Sequence, residues 1–221
     1  MAHQAITEYH AEVHDTTYNT STGLSNRKLL MWAFLASDVM FFGTFIATYL
    51  VYRNRSLVGP YPENVLDIPI TTVSTFVLLM SSLSMVLALH YVRDGAKISG
   101  RFWIFVTAAL GIVFIGFQVV EFYTFVNEGL TPVTNLFGTT FFILTGFHGA
   151  HVTIGILWLL FLLFGHFKGT LRSDNSLDLE IAGLYWHFVD IVWIVIFTVV
   201  YLVTANDGAP PGAPPFIGPH G

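Results

Sequence analysis

Residues 29–52 read LLMWAFLASDVMFFGTFIATYLVY, an apolar run with a single charged residue, Asp38. Because a helix rises about 1.5 Å per residue, this run can cross about 30 Å of hydrocarbon. Four further runs of this kind follow, at residues 69–92, 102–126, 137–167 and 181–203. None shows the alternation of barrel strands, and a helix satisfies its backbone hydrogen bonds within one segment. The sequence therefore predicts an all-α, polytopic membrane helix bundle with five transmembrane helices.

The composition excludes several classes of protein. Of 221 residues, 54% are hydrophobic and only 10% are charged, whereas roughly 25% are charged in an average soluble domain. Cysteine is absent, which excludes a disulfide scaffold and a thiolate metal site. The basic residues form no cluster that could neutralise a phosphate backbone, so we expect no nucleic acid partner.

The charge distribution predicts the orientation. Cytoplasmic loops carry an excess of Lys and Arg. Seven of the nine basic residues fall on the side of the N-terminus, whereas two lie opposite, at Arg53 and Arg55; the seven are Arg27, Lys28, Arg93, Lys97, Arg101, Lys168 and Arg172. We therefore expect residues 1–28 to form a cytoplasmic segment, residues 29–204 the five-helix transmembrane domain, and residues 205–221 an external tail. The tail is rich in Pro and Gly, which predicts a disordered or partner-bound extension.

Asp38 is the clearest ionisable residue inside a span. Counted from Leu29, it lies about 13 Å into the first helix. An ionisable side chain at such a depth costs about 2.5 to 3.5 kcal/mol on insertion scales, so it needs a partner or a purpose. Two interpretations stay open: a proton-linked or structurally essential carboxylate, and an acid hydrogen-bonded to Ser, Thr or His on a neighbouring helix.

Two further pairs of polar residues lie inside the spans. His148 and His151 share one face of the fourth helix, and His187 and Asp190 are spaced in the same way on the fifth. Asp190 lies about 13 Å from the start of its run, level with Asp38. Such a cluster can hold a metal or haem. The small residues beside His148 favour close helix packing with hydrogen bonds between helices instead.

Other candidate residues lie nearer the span ends. Glu121 lies about 28 Å along the third helix, close to the external interface. Glu180 precedes the last run, where the helix macrodipole favours a negative charge, so we expect it to act as a cap. His90, Arg93 and Trp103 lie at the inner interface and could contact lipid headgroups, although a plain interfacial role explains them equally well.

Several segments resemble the signature of cytochrome c oxidase subunit III. They are FGTTFF at residues 137–142, TGFHGAHV at 145–152 and YWHFVDIVW at 185–193. The segment SDVMFF at residues 37–42, the pair Gln118 and Glu121, and Glu180 also fit. The resemblance extends over residues 29–203, in the family's order.

Two departures from the family pattern matter. The chain is similar to the shorter five-helix form, which lacks the first two helices of the seven-helix members. A lipid cleft bounded by those two helices would therefore be open, or it would be filled by a neighbouring subunit. The buried acid of the first helix is Glu in the mitochondrial type and Asp38 here. Quinol-oxidising relatives share both traits, so the electron donor is cytochrome c or a quinol; the segments around His148 and His187 favour cytochrome c.

The resemblance implies a non-catalytic subunit of a proton-pumping oxidase in the bacterial cytoplasmic membrane. Such a subunit packs on subunit I in a complex with subunit II, binds structural phospholipid and supports proton uptake. Haem and copper belong to subunits I and II, and none is expected in this chain.

Two alternatives remain. One is an independent proton-coupled transporter in which Asp38 and Asp190 relay protons; it predicts inverted repeats or broken helices. The other is a haem-bearing membrane anchor that uses His148, His151 or His187; it predicts Soret absorption in the isolated chain.

Overall fold

The computed structural model describes residues 25–167, 176–205 and 207–213. Its helices are α1 (Asn26–Tyr52), α2 (Pro62–Val65), α3 (Ile68–Arg93), α4 (Lys97–Asn127), α5 (Leu136–Phe167) and α6 (Ser176–Ile196), and α6 continues as a π-helical segment (Phe197–Leu202). Among the described residues, five helices are long and apolar enough to cross a membrane. The prediction of an all-α protein with five spans is confirmed.

Each of the five described membrane-spanning helices begins before the apolar run that was predicted for it. We expected the third and fifth spans to begin at Phe102 and Ile181, whereas α4 begins at Lys97 and α6 at Ser176. The added turns are polar. An apolar run marks only the part of a helix that lies in the hydrocarbon, so it does not include the turns that continue into the headgroup region. Residues inside these spans therefore lie further from the first residue of their helix than from the start of the predicted run.

The chain divides into two compact units, Met1–Met40 and Phe41–Gly221, and α1 continues through the division. In the second unit, α3 packs against α4, α4 against α5, and α6 against both α3 and α5. Asp67 caps α3 by accepting a hydrogen bond from the Ile70 amide at 3.2 Å. The tight turn from α3 to α4 requires Gly95, whose φ of 76° is in the left-handed region.

The indole of Trp186 fills the centre of this four-helix arrangement, where it is 1% exposed. Two glycines make room for it. A Cβ atom on Gly111 of α4 would lie 2.7 Å from Trp186 Cη2, and one on Gly155 of α5 would lie 2.9 Å from Trp186 Cζ3. Small residues allow close approach of membrane helices, and here they allow a large side chain of α6 to enter between α4 and α5.

We call the end of the second unit where α4 ends and α5 begins the distal end. There the Arg53 guanidinium bonds both carboxylate oxygens of Asp207, one of them at 2.8 Å, and donates to the Val203 carbonyl at 2.9 Å. The hydrogen bond to Asp207 raises the pKa of Arg53. Gly208 lies so close to Glu63 that a Cβ atom would be 2.7 Å from its carboxylate.

This ion pair holds the start of the tail in place through Asp207. The disordered or partner-bound extension that we expected beyond it stays a prediction. A contact between residues 53 and 207 could not be read from a run of Gly, Ala and Pro. Residues 214–221 lie outside the described residues.

Candidate functional site

Glu121 is the carboxylate at which three helices meet, about 9 Å before the end of α4. The Thr71 hydroxyl of α3 donates to Glu121 Oε1 at 2.9 Å, and the Tyr201 hydroxyl donates to Oε2 at 3.0 Å. Thr71 shares its single proton with the Asp67 carbonyl at 2.8 Å. Thr71 and Tyr201 are buried. Glu121 therefore ties α3, α4 and the π-helical segment together.

A cleft of about 440 Å³ opens beside Glu121 at the distal end. Its walls include three carboxylates, from Asp67, Glu121 and Glu128. Burial raises the pKa of Glu128, which follows the last residue of α4. Because its walls carry carboxylates, this cleft is unsuited to an anionic headgroup.

Two indoles of α6 bond to hydroxyls of α3. Trp186 Nε1 donates to Ser81 Oγ at 2.9 Å, and Trp193 Nε1 donates to Thr75 Oγ1 at 3.0 Å. None of these four residues was predicted as part of the site. The signal available in the sequence is a row of small polar residues on the buried face of α3, with Thr71, Ser74 and Thr75 within about one turn and Ser81 and Ser84 three positions apart.

His148 is fully buried between α4, α5 and α6. Its Nε2 lies 3.3 Å from the Val189 carbonyl, which can only accept, so Nε2 carries the proton. The ring lies 4.9 Å from that of Trp193. The contacts of His148 thus join α5 to α6. A separate hydrogen bond, from Gln118 Nε2 of α4 to the Thr145 carbonyl at 2.7 Å, joins α4 to α5.

His151 has different surroundings from His148, although the two are three residues apart. Its Nδ1 lies 2.8 Å from the Phe147 carbonyl of its own helix, and its ring centroid lies 5.0 Å from that of Phe42. The His151 carbonyl accepts from the Tyr185 hydroxyl at 2.9 Å. The imidazoles therefore have separate backbone partners and do not act as a pair.

His187 and Asp190 both lie beside Ser82 of α3. His187 Nδ1 is 2.6 Å from Ser82 Oγ. Asp190 is 3% exposed, and among the described residues no donor is in hydrogen-bond geometry with either of its carboxyl oxygens. Asp190 is about 21 Å from the first residue of α6, which begins five residues before Ile181, the residue from which the expected 13 Å was counted.

The expected interfacial residues have protein partners. Glu180 lies just after the first turn of α6, which carries Asp178, and its carboxylate pairs with Arg93 of α3 at 3.1 Å. Its role as a cap stays a prediction. His90 Nε2 is 3.5 Å from Asp94 Oδ2. Trp103 is half-buried in α4. Contacts of His90, Arg93 and Trp103 with lipid stay predictions.

Asp38 belongs to the first unit, about 18 Å along α1 from its first residue. Its side chain is 8% exposed. The burial agrees with an acid inside the protein, while its role as a hydrogen-bonding or proton-linked group stays a prediction.

The residues present do not fit a haem or metal centre. Within residues 25–167, 176–205 and 207–213, no three His, Cys, Asp or Glu side chains are grouped so that they could hold a metal ion. A backbone carbonyl at one ring nitrogen, as at His148 and His151, is also found in histidines that bind a metal through the other nitrogen, so what speaks against a metal centre is the lack of a grouped ligand set in the described residues. That the chain carries no cofactor stays a prediction.

The sequence model of one protein family, cytochrome c oxidase subunit III, matches residues 5–205. The chain belongs to this family. The quinol oxidase subunit 3 of Bacillus subtilis (strain 168) is 39% identical over 186 residues, which cover 84% of this chain and 91% of that relative. The cytochrome c oxidase subunit 3 of Bacillus sp. (strain PS3) is 37% identical over 178 residues, covering 80% and 86%. The resemblance found in the sequence is thus confirmed.

Family membership fixes the setting of these polar groups. The chain is a multi-pass membrane protein and a subunit III of the haem-copper oxidase family, part of an oxidoreductase complex. The segments that carried the resemblance supply His148, His151, His187 and Asp190, and in the structure His148 and His187 each contact a neighbouring helix through a ring nitrogen. The same segments are therefore those that join the helices of subunit III.

Proposed function

We propose that the chain is a non-catalytic subunit III that packs against subunit I of a haem-copper oxidase and stabilises the complex during turnover. One observation carries the proposal: the buried polar groups bond from helix to helix and are not gathered around a ligand. Glu121, His148, His187 and the indoles of Trp186 and Trp193 each bridge two elements. The redox groups would be held by subunits I and II.

Phospholipid is a second part of the proposal. A groove of about 320 Å³ lies between the first turns of α4 and the end of α5, with walls formed by Ile98, Arg101, Phe102, Phe105 and Leu163. All but one of these residues are apolar, and the single cation lies at the edge of the span. A groove of this kind suits acyl chains with an anionic headgroup near the guanidinium.

The orientation is also proposed. The end opposite to the distal end carries Arg93, Lys97 and Arg101, and the positive-inside rule assigns it to the cytoplasm. The lipid groove would then face the cytoplasmic leaflet. Support for proton uptake on this side is inferred from the family resemblance.

Cytochrome c is the proposed electron donor of the complex. A quinol is the second candidate, because relatives that are 39% identical carry the name quinol oxidase subunit 3. We expect the partner subunits to select the donor.

Affinity purification through a tag on this chain, from membranes of the native host in mild detergent, tests the proposal. We expect the other oxidase subunits to co-purify with haem and copper, and the chain to lose both when it is separated from them. Purified complex would then be supplied with reduced cytochrome c or with a quinol to identify the donor. Purification of the chain alone, or retention of one haem or metal per isolated chain, would contradict the proposal.

A further inference from the structure

The outer surface between α3 and α6 carries a polar pair at mid-membrane depth. Ser82 lies about 21 Å from the start of α3, and His187 about 17 Å from the start of α6. Both side chains are partly exposed, and the hydrogen bond of 2.6 Å between them joins the two helices at this surface.

One nitrogen of His187 is left for a group outside the bundle. Its Nδ1 is used by the Ser82 hydroxyl at 2.6 Å. No described residue forms a hydrogen bond with Nε2, although that ring is only partly buried. A neutral imidazole has one donor and one acceptor nitrogen, so Nε2 can form one strong hydrogen bond outwards.

Apolar residues surround this polar pair. On α3, Leu79 and Val86 lie one turn before and one turn after Ser82, and they are 38% and 51% exposed. On α6, Ile191 lies one turn after His187 and is 59% exposed. Acyl chains can solvate these aliphatic side chains, but they cannot form a hydrogen bond with an imidazole.

We propose that this surface is the docking site for a transmembrane helix of another oxidase subunit, which places a polar side chain against His187 Nε2. We call it the His187 face; it comprises Leu79, Ser82, Leu83, Val86, His187 and Ile191. The partner is a helix because only a helix brings a hydrogen-bonding side chain to this depth with its own backbone satisfied. That the partner belongs to the oxidase rests on the proposed function.

A photocrosslinking amino acid at Ile191 tests the location. The same amino acid at Val113 of α4 is the matched control, because Val113 is also an exposed aliphatic residue in the middle of a span, 47% exposed, but on another helix. We expect Ile191 to crosslink to an oxidase subunit in native membranes at least about fivefold more than Val113. Crosslinking of Ile191 to lipid alone, or equal crosslinking from Val113, would overturn the proposal.

The variants His187→Leu and His187→Gln test the hydrogen bond. In double-mutant cycles a hydrogen bond between membrane helices contributes enough to change an affinity about threefold to twentyfold. We expect the Leu variant to dissociate from the detergent-solubilised complex more readily by this factor, and the Gln variant, which keeps a donor and an acceptor, to stay close to the wild type. Equal retention of all three proteins would contradict the role of Nε2.

The two experiments separate this inference from the proposed function. If the oxidase subunits co-purify with the chain but the crosslinks come from another face, the proposed function stands and the His187 face is wrong. If no oxidase subunit co-purifies, both fail.

Discussion

The substitution Gly111→Ala tests the packing of Trp186 between α4 and α5. The added methyl group would lie 2.7 Å from Trp186 Cη2 and 3.0 Å from Ile156 Cγ1. The indole cannot retreat freely, because it is buried and its Nε1 is bonded to Ser81. Overpacking of this kind costs about 1 to 3 kcal/mol, so the folding equilibrium constant should fall about 5- to 150-fold.

Gly116→Ala is the matched control. It lies on the same helix, and a Cβ atom there would meet nothing within 4 Å. The gain in helix propensity from Gly to Ala, up to about 1 kcal/mol, applies to both variants and cancels in their comparison. The difference between the two variants therefore reports the contact with Trp186.

The free energy of unfolding would be measured by titrating the purified chain with SDS and following tryptophan fluorescence. We expect Gly111→Ala to be less stable than Gly116→Ala by about 1 to 3 kcal/mol. In a Trp186→Phe background the difference should shrink, because the smaller ring leaves space for the methyl group. Equal stability of the two variants in the wild-type background would refute the packing of the indole against Gly111.

Three further predictions concern Asp38, Tyr201 and the tail. Asp38→Asn keeps a hydrogen-bonding group of similar volume and should preserve assembly and oxygen reduction, whereas Asp38→Leu should loosen the subunit; equal loss in both variants, measured as subunit retention, would contradict this. Tyr201→Phe removes one of the two hydroxyls on Glu121 and should lower the free energy of unfolding by about 1 kcal/mol in the SDS titration; no change would show that the bond is not stabilising. Protease added to intact cells should cleave the tail beyond Asp207, and cleavage only after lysis would reverse the orientation.

The sequence predicted the five spans because the hydrocarbon thickness fixes the length of an apolar helix. It did not predict where the helices end, since the polar turns from Lys97 and from Ser176 are not distinguished from loops by hydropathy. Helix ends depend on interfacial contacts, such as the pair between Arg93 and Glu180, and these join distant parts of the chain.

The polar residues of the site were predicted, but their partners were not. Their spacing predicted that His148 and His151 lie on one face of a helix. Their side chains nevertheless point in slightly different directions, so that His148 contacts the Val189 carbonyl and the ring of His151 packs against Phe42. Likewise, nothing in the sequence pairs Trp193 with Thr75. Such pairs depend on the rotation of each helix about its own axis, and this rotation is set by the packing of all of the helices together.

Removal of this chain from the purified oxidase tests the central claim most directly. The depleted complex and the intact complex would be compared for haem content, initial rate of oxygen reduction and rate during prolonged turnover. We expect depletion to leave the haem content and the initial rate unchanged and to make activity decline sooner, with recovery when the chain is added back. Loss of haem or of the initial rate, with subunits I and II still assembled, would contradict a non-catalytic role for this subunit.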